Sequence, residues 1–321
     1  MAKIKMGVIG VGHMGQYHLN ILSTIPEVTL VGVCDTDENR LMDVSNRYEV
    51  QSFDNYKKLI KKCDALCIAT PTSTHFTIAR EALLAGKHIL LEKPMTTDIE
   101  EAKELVDIAR KKKVILQVGH VERFNGAVQQ LKNIILNPFY IETKRFGPFV
   151  ERISDVGVVL DLMIHDIDIV LNLIEDKVVD VSSFGRSVYS KFEDIAVAQV
   201  LFEHGAIASI MASRASQKKI RTLTVMQKES FVFLDYATQD IEIHRQASSV
   251  YLLTPEEIRY SQESFVEHLF IHKENPLKLE IVHFINCVMG KENPLIDNKQ
   301  DLLSLDISLK IMSQINKKLK K

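Results

Sequence analysis

From Lys3 to Val118, short β-rich apolar runs alternate with amphipathic helical stretches, the pattern of a parallel sheet wound by helices. The strands read as residues 4–9, 28–34, 65–69, 88–91 and 114–118. Thr97 followed by Glu100 has the spacing of a capping box opening a helix toward Lys111, and Gly86 stops the helix that carries Ala79, Ala82 and Leu83. After Arg123 the pattern changes. One helix through Leu131, a strand over 140–146 and a helix around 162–173 are followed by β-rich segments at 178–188, 195–202, 206–213, 222–226, 231–234 and 241–244. Runs of strands without intervening helices predict a largely antiparallel sheet, which can leave one face free. Helical patterns return at 279–289 and 302–319. The chain therefore reads as an α/β domain over 1–121 and an α+β domain over 122–321.

A length of 321 residues suits two domains, each with its own core. Hydrophobic residues at 46% and charged residues at 26% are close to ordinary globular usage, which excludes extensive disorder. With 40 Lys plus Arg against 42 Asp plus Glu, no global positive field exists to hold nucleic acid. The basic end, Lys317, Lys318, Lys320 and Lys321, reads as a solvated helix terminus. No apolar run reaches the roughly 18 to 20 residues needed to span a bilayer. The first strand-like segment begins almost at Met1 and leaves no room for a signal peptide, so a cytoplasmic protein is expected. Cys34, Cys63, Cys67 and Cys287 form no Cys-x-x-Cys pair, so neither a disulfide framework nor a zinc ribbon is indicated.

Gly10-x-Gly12-x-x-Gly15, with His13 and Met14 inside it, follows the apolar run ending at Ile9 and opens a helix-like stretch. Such glycines permit a tight turn and bring backbone amides close to a pyrophosphate, whose charge a helix N-terminus favours. The next strand ends in Asp35, twenty residues beyond Gly15, where an acid receives the ribose hydroxyls of a dinucleotide. A glycine turn serving only packing is the alternative. Asp35 repels a 2′-phosphate and neither Thr36 nor Asp37 offers a cation for one, so NAD is expected over NADP, with Arg40 as the nearby cation to watch.

Thr70, Pro71 and His75 follow the third strand read above, and Glu92, Lys93 and Pro94 follow the fourth, all at the carboxyl edge where an open α/β sheet binds its ligand. These residues join the glycine loop and Asp35 as expected cofactor contacts. His75 could equally sit on a helix surface. Lys93 could be an exposed turn residue, or its ammonium could reach the reactive end of the cofactor and polarise a substrate oxygen. Asp161 and His165 are four apart and share one helical face, where the carboxylate could orient the imidazole as a base for an alcohol proton. The alternatives are a helix-start acid with a partly buried histidine, or a metal site with Asp166 and Asp168. Metal is the weaker reading, because a hydride acceptor needs none and no Cys or His cluster completes a ligand set.

The ordered set Gly10-Val-Gly12-His-Met-Gly15, Asp35, Thr70-Pro71-x-x-x-His75, Ala85-Gly86-Lys87-His88, Glu92-Lys93-Pro94 and Asp161-x-x-x-His165 resembles the Gfo/Idh/MocA oxidoreductases over nearly the whole chain. The resemblance implies an N-terminal Rossmann domain and an α+β domain whose open sheet makes subunit contacts, hence a homodimer or homotetramer. By match of position it implies Lys93, Asp161 and His165 as the catalytic group. Two segments depart from the family pattern. Asp155-Val-Gly157-Val-Val replaces a frequent glycine pair, and Gly119-His-Val-Glu-Arg123-Phe124-Asn125-Gly126 stands where a proline often closes the segment.

Arg145-Phe-Gly-Pro148, Asp161-Leu-Met-Ile-His165-Asp166 and Pro276-Leu-Lys-Leu-Glu280 look most like members acting on nucleotide sugars, UDP-N-acetylglucosamine 3-dehydrogenases among them. The expected function is oxidation of a sugar secondary alcohol to a ketone, with C3 of UDP-N-acetylglucosamine as the position. Arg123, Lys144, Arg145 and Arg152 are then the candidate cations for the diphosphate, since a guanidinium fork can donate two hydrogen bonds at once. The competing readings are a dehydrogenase of a free sugar or inositol and an NAD-binding sensor without turnover.

Overall fold

The computed structural model describes residues 3–150, 156–254 and 257–319. Its contacts divide the chain into two compact units, the first built on Met1–Phe124 and Asn275–Leu309, the second on Asn125–Arg152, Gly157–Glu274 and Lys310–Lys321. In the first unit the order is β1 (Ile4–Ile9), α1 (His13–Leu22), β2 (Val28–Cys34), α2 (Glu38–Tyr48), β3 (Gln51–Phe53), α3 (Tyr56–Ile60), β4 (Ala65–Ile68), α4 (His75–Leu84), β5 (His88–Glu92), α5 (Ile99–Lys112) and β6 (Leu116–Gly119). The strands form one parallel sheet in the order β3-β2-β1-β4-β5-β6. Every strand therefore ends on the same edge, and the expected cofactor residues lie at the ends of β1, β2, β4 and β5, in the loops after them or at the starts of the helices that follow.

Two local features differ from the pattern in the sequence. Helix α5 is capped by Asp98 rather than Thr97, because the Asp98 carboxylate accepts from the N–H groups of both Glu100 and Glu101 at 2.8 and 3.1 Å. Strand β3 went unread: it has three residues, of which Gln51 and Ser52 are exposed, too few to show a period of two.

The second unit contains α6 (Gly126–Ile134), β7 (Tyr140–Phe146), a π-helical turn over Val159–Met163, α7 (Ile164–Leu173), β8 (Val178–Arg186), β9 (Ile195–Phe202), β10 (Ile207–Ser213), β11 (Ile220–Gln227), β12 (Ser230–Asp235), β13 (Asp240–Thr254) and β14 (Glu257–Leu269). Eight strands form one sheet in the order β14-β13-β12-β11-β7-β10-β9-β8. All pairs are antiparallel except β7 with β10. The edge strand β14 was not foreseen, because its sequence is mostly polar and lacks an apolar stripe. One face carries Ile141, Ala198, Ala208, Ile210, Leu223 and Val232, all buried. On the other, the register aligns Leu201, Ile207, Tyr140, Met226, Phe231, His244 and Val266 across seven strands. Leu201, Ile207, Met226, Phe231 and Val266 in that row are exposed.

Two helices follow, α8 (Pro276–Val288) and α9 (Asn298–Leu319). Asn275 caps α8 by accepting from the N–H groups of Leu277 and Lys278, and Pro276 occupies the first helical turn where no N–H is needed. Its stripe of Ile281, Phe284 and Ile285 enters the same core as Met6, Val8 and Leu19. Each such side chain contributes about 1.5–3 kcal/mol by burial, which draws residues 275–309 into the first unit although sequence order assigned them to the second. The α8 helix also packs on the short turn Val121–Phe124, moving the expected boundary at 121 to Phe124. The last residues of α9 belong to the second unit. There Lys318, exposed as expected of a solvated end, also donates from Nζ to the Ser183 carbonyl at 2.7 Å and lies 3.7 Å from the centre of the Phe184 ring.

The α8 helix also carries a carboxyl group into this core. Glu280 is 0% exposed, and neither of its side-chain oxygens has a hydrogen-bond partner among the described residues. Burial, reinforced by the nearby charge of Glu92, pushes its carboxyl up to about 8. Glu280 is thus a neutral acid at pH 7. Because the folded state keeps a proton that the unfolded chain releases, this contribution to stability is whole below about pH 4.5 and is lost as pH rises through about 8. Glu280→Gln, neutral at every pH, removes that dependence. Calorimetry should show the variant gaining a few kcal/mol relative to the wild type between about pH 5 and about pH 9. A difference constant across that range would mean that Glu280 is ionised in the folded protein.

Candidate functional site

In the first unit, the loop between β1 and α1 is shaped by contacts that exclude side chains. Gly10 has φ +86°, and a Cβ there would lie 2.6 Å from the Ala69 carbonyl oxygen. A Cβ on Gly15 would overlap the Gly10 carbonyl, so this glycine lets α1 start directly against the end of β1. Gly12 is the N-cap of α1 and supplies no side-chain cap, leaving the amide end of the helix without a local acceptor. His13 and Met14 are the first two residues of that helix. Such an end fits a bound pyrophosphate.

Asp35, just past β2, fixes this loop from the side. One carboxylate oxygen accepts from the Val11 N–H at 2.8 Å and the other from the Asp37 N–H at 2.9 Å. Each oxygen retains a lone pair for a ribose hydroxyl. Arg40 lies 3.8 Å from Asp35 but is held more closely by Asp37, at 2.7 Å. Its charge is thus balanced by two carboxylates, which weakens it as a receiver of a 2′-phosphate.

Past β4 and β5, His75 joins the two remaining loops. It is buried rather than on a helix surface. Nε2 lies 2.9 Å from the Thr70 carbonyl oxygen and Nδ1 lies 2.9 Å from that of Pro94. Both partners are acceptors, so the bridge is complete only with a proton on each nitrogen. The segments bearing Thr70, Pro71 and Lys93 are thereby held together. Glu92 is buried and accepts from His18 of α1 at 2.8 Å. Burial works against both charges. Even so, contact with Cys67 and Glu92 raises His18 well above its ordinary value, and His18 and then Lys93 lower Glu92. The pair is an ion pair, and it ties the dinucleotide-binding helix to the strand that presents Lys93.

In the second unit, Asp161 lies in the π-helical turn and His165 in the first turn of α7, one helical turn further on. Single π turns of this kind recur at functional sites because they re-aim side chains. The helix is anchored by the residue beside His165. Asp166, 1% exposed, receives a two-pronged ion pair from Arg145 of β7, with Nε and Nη2 at 2.9 and 2.8 Å from its two oxygens. The guanidinium also stacks 4.8 Å from the Tyr236 ring. Asp166 is therefore engaged by Arg145.

That pairing corrects the cation assignments. Arg145 is 2% exposed with its fork committed to Asp166, so it is a structural residue and not an offered phosphate ligand. Arg123 belongs to the first unit, and its Nη2 donates to Asp301 at 2.6 Å inside the protein. Lys144 stays near the surface, paired with Glu142 at 2.6 Å. Arg152 lies outside the described residues. Sequence reasoning missed His18 altogether. Its signal was a histidine on the apolar face of α1, beside Leu19 and Leu22, where a buried imidazole requires a partner.

Comparison with known proteins matches this architecture. Residues 4–120 fit the oxidoreductase family described as having an NAD-binding Rossmann fold, and residues 124–232 fit the GFO/IDH/MocA C-terminal domain. UDP-N-acetylglucosamine 3-dehydrogenase of Acidithiobacillus ferrooxidans is 35% identical over 252 residues, covering 78% of this chain and 80% of that protein. Its solved structure superposes with a TM-score of 0.89 and 30% identity, covering 100% of both chains. The scyllo-inositol 2-dehydrogenase (NAD(+)) of Bacillus subtilis is 28% identical over 328 residues, covering 96% of this chain and 92% of that protein. With both domains matched in order and the glycine loop and Asp35 disposed to receive a dinucleotide, the chain belongs to the Gfo/Idh/MocA family of oxidoreductases and its cofactor is NAD.

Proposed function

We propose that this protein oxidises the C3 hydroxyl of UDP-N-acetylglucosamine to a ketone, with NAD preferred over NADP. The likeness to the Acidithiobacillus ferrooxidans enzyme, over about four-fifths of both chains, carries this reading. The Asp35 carboxylate, turned toward the glycine loop, and the balanced charge of Arg40 support the cofactor preference. Bound NAD supplies the hydride acceptor. Lys93 binds the substrate oxygen, where its ammonium is worth most as negative charge develops. His165 takes the hydroxyl proton, and Asp161 orients the imidazole and stabilises its charged form. The open, apolar row on the second-unit sheet is covered by a second copy of the chain, giving a homodimer or homotetramer.

A second reading has its own support. Arg123 and Arg145 are both consumed by internal carboxylates, and the inositol dehydrogenase of Bacillus subtilis aligns with nearly the whole chain. On that reading the substrate is an inositol or a free sugar, and no diphosphate needs to be bound.

NADH formation measured with UDP-N-acetylglucosamine, myo-inositol and glucose decides between them. The nucleotide sugar should give the highest kcat/KM, and NADP in place of NAD should lower it about tenfold or more. A thermal shift produced by UDP at millimolar concentration would agree. No shift together with turnover of inositol would establish the second reading.

Lys93→Met should lower kcat about a hundredfold or more while NADH affinity, followed by fluorescence, stays near wild type. His165→Asn should lower kcat and abolish the rise of oxidation rate with pH. A His165→Asn enzyme that kept that rise, beside a Lys93→Met enzyme that lost it, would move the proton to the lysine.

Light scattering tests the assembly. The wild type should run as a dimer or larger, and Ile207→Glu combined with Phe231→Glu should give monomers. A wild-type monomer would refute the covered face.

A further inference from the structure

The helix that carries Asp161 and His165 begins without a cap of its own. Val158 stands at its N-cap position and provides no side-chain hydrogen bond. The first N–H groups of a helix have no partner within it and must find one elsewhere. Here both go to one residue on the far side of α7 in sequence. The Val158 N–H donates to the Glu193 carbonyl at 2.9 Å, and the Val159 N–H donates to the Glu193 carboxylate, Oε1, at 3.2 Å. Glu193 is 1% exposed. A Cβ on Gly157 would overlap both carboxylate oxygens, so the absence of a side chain at residue 157 is what leaves room for Glu193.

Glu193 is itself fixed by its neighbour. Asp194 accepts from the N–H groups of Val188, Tyr189 and Ser190 at 2.7, 2.6 and 3.0 Å and from Arg214 Nε at 2.7 Å. Burial opposes the charge, yet these bonds hold the Asp194 carboxyl well below the usual carboxylate range. Its backbone is pinned on both sides, with the Asp194 N–H donating to the Arg186 carbonyl at 2.8 Å and the Arg214 N–H to the Asp194 carbonyl at 2.9 Å.

We propose that Glu193 is a positioning residue for Asp161 and His165, setting the first turn of their helix through its carbonyl and its carboxylate. The inference rests on the reading above, that Asp161 and His165 handle the alcohol proton. Asp161 is two residues beyond the capped Val159, and its own N–H donates to the Gly157 carbonyl at 3.0 Å. A displaced first turn therefore displaces the carboxylate that orients His165, and misplacements of about 1 Å can cost about a hundredfold in rate.

Kinetics of Glu193→Ala, Glu193→Gln, Gly157→Ala and the double variant Gly157→Ala with Glu193→Ser provide the test. The substrate is whichever of UDP-N-acetylglucosamine, myo-inositol or glucose the wild type oxidises, and Asp161→Asn and His165→Asn serve as references. Glu193→Ala should lower kcat about tenfold or more with the KM for NAD unchanged. Glu193→Gln, which keeps an oxygen acceptor, should recover most of that loss. Gly157→Ala should also lose kcat, and the double variant should be no worse than the poorer single. Hydrogen exchange of the peptide spanning residues 156–166 should quicken in Glu193→Ala and not in Glu193→Gln. If Glu193→Ala does not fold, as judged by NADH binding, the Gln variant and the glycine pair carry the test. Wild-type kcat in Glu193→Ala, equal losses in Ala and Gln, or additive losses in the double variant would each overturn the positioning role. Wild-type kcat in Asp161→Asn and His165→Asn would instead overturn the proton-transfer reading, and Glu193 would then be a structural cap only.

Discussion

A carboxylate taken out of water loses several kcal/mol of hydration and must recover it from a cation, from backbone N–H groups or by taking up a proton. Both units are organised around carboxyl groups that have met this demand in different ways. Asp166 recovers it from the Arg145 fork, Asp301 from Arg123, and Asp194 from three N–H groups and Arg214. Glu92 recovers it from His18, and Glu280, close to the charge of Glu92 and without a hydrogen-bond partner among the described residues, keeps its proton. Three such carboxylates fix backbone beside residues proposed for the chemistry. Glu92 precedes Lys93, Asp166 follows His165, and Asp35 grips the glycine loop.

Because all six strands of the first sheet run parallel, their carboxyl ends and the loops after them share one edge. The dinucleotide loop needs only glycines that admit a close approach and a helix start free of its own cap. The His75 bridge and the His18–Glu92 pair then hold the neighbouring loops in place. Breaking one member of such a buried pair leaves the other charged and unpartnered, which costs about 3–5 kcal/mol. These residues therefore contribute to folding as much as to placement.

The second sheet meets a different constraint. Its strands are mostly antiparallel, so helices need cover only one face. The other face carries both polar residues, such as Glu142, Ser209 and Gln199, and the apolar row through Ile207 and Phe231. The Arg145–Asp166 pair lies on the covered side, where it binds α7 to β7.

The amino-acid sequence by itself determined the alternation of strands and helices in the first unit, the strand-rich second unit, the glycine loop and Asp35. These depend on local period, on turn residues and on short spacings that any chain of this pattern shares. The strands over 4–9, 28–34, 140–146 and 195–202 match their reading residue for residue. Only the tertiary structure decided that residues 275–309 return to the first unit, since an apolar stripe such as that of α8 fits either core until packing selects one. The same holds for the charged residues. Arg123 and Arg145 have the composition of phosphate ligands and the burial of structural ion pairs, and Glu193 is an ordinary acid in sequence that becomes a helix cap because folding brings it to Gly157. A charge records its type in the sequence, whereas its partner is fixed by distances across the fold.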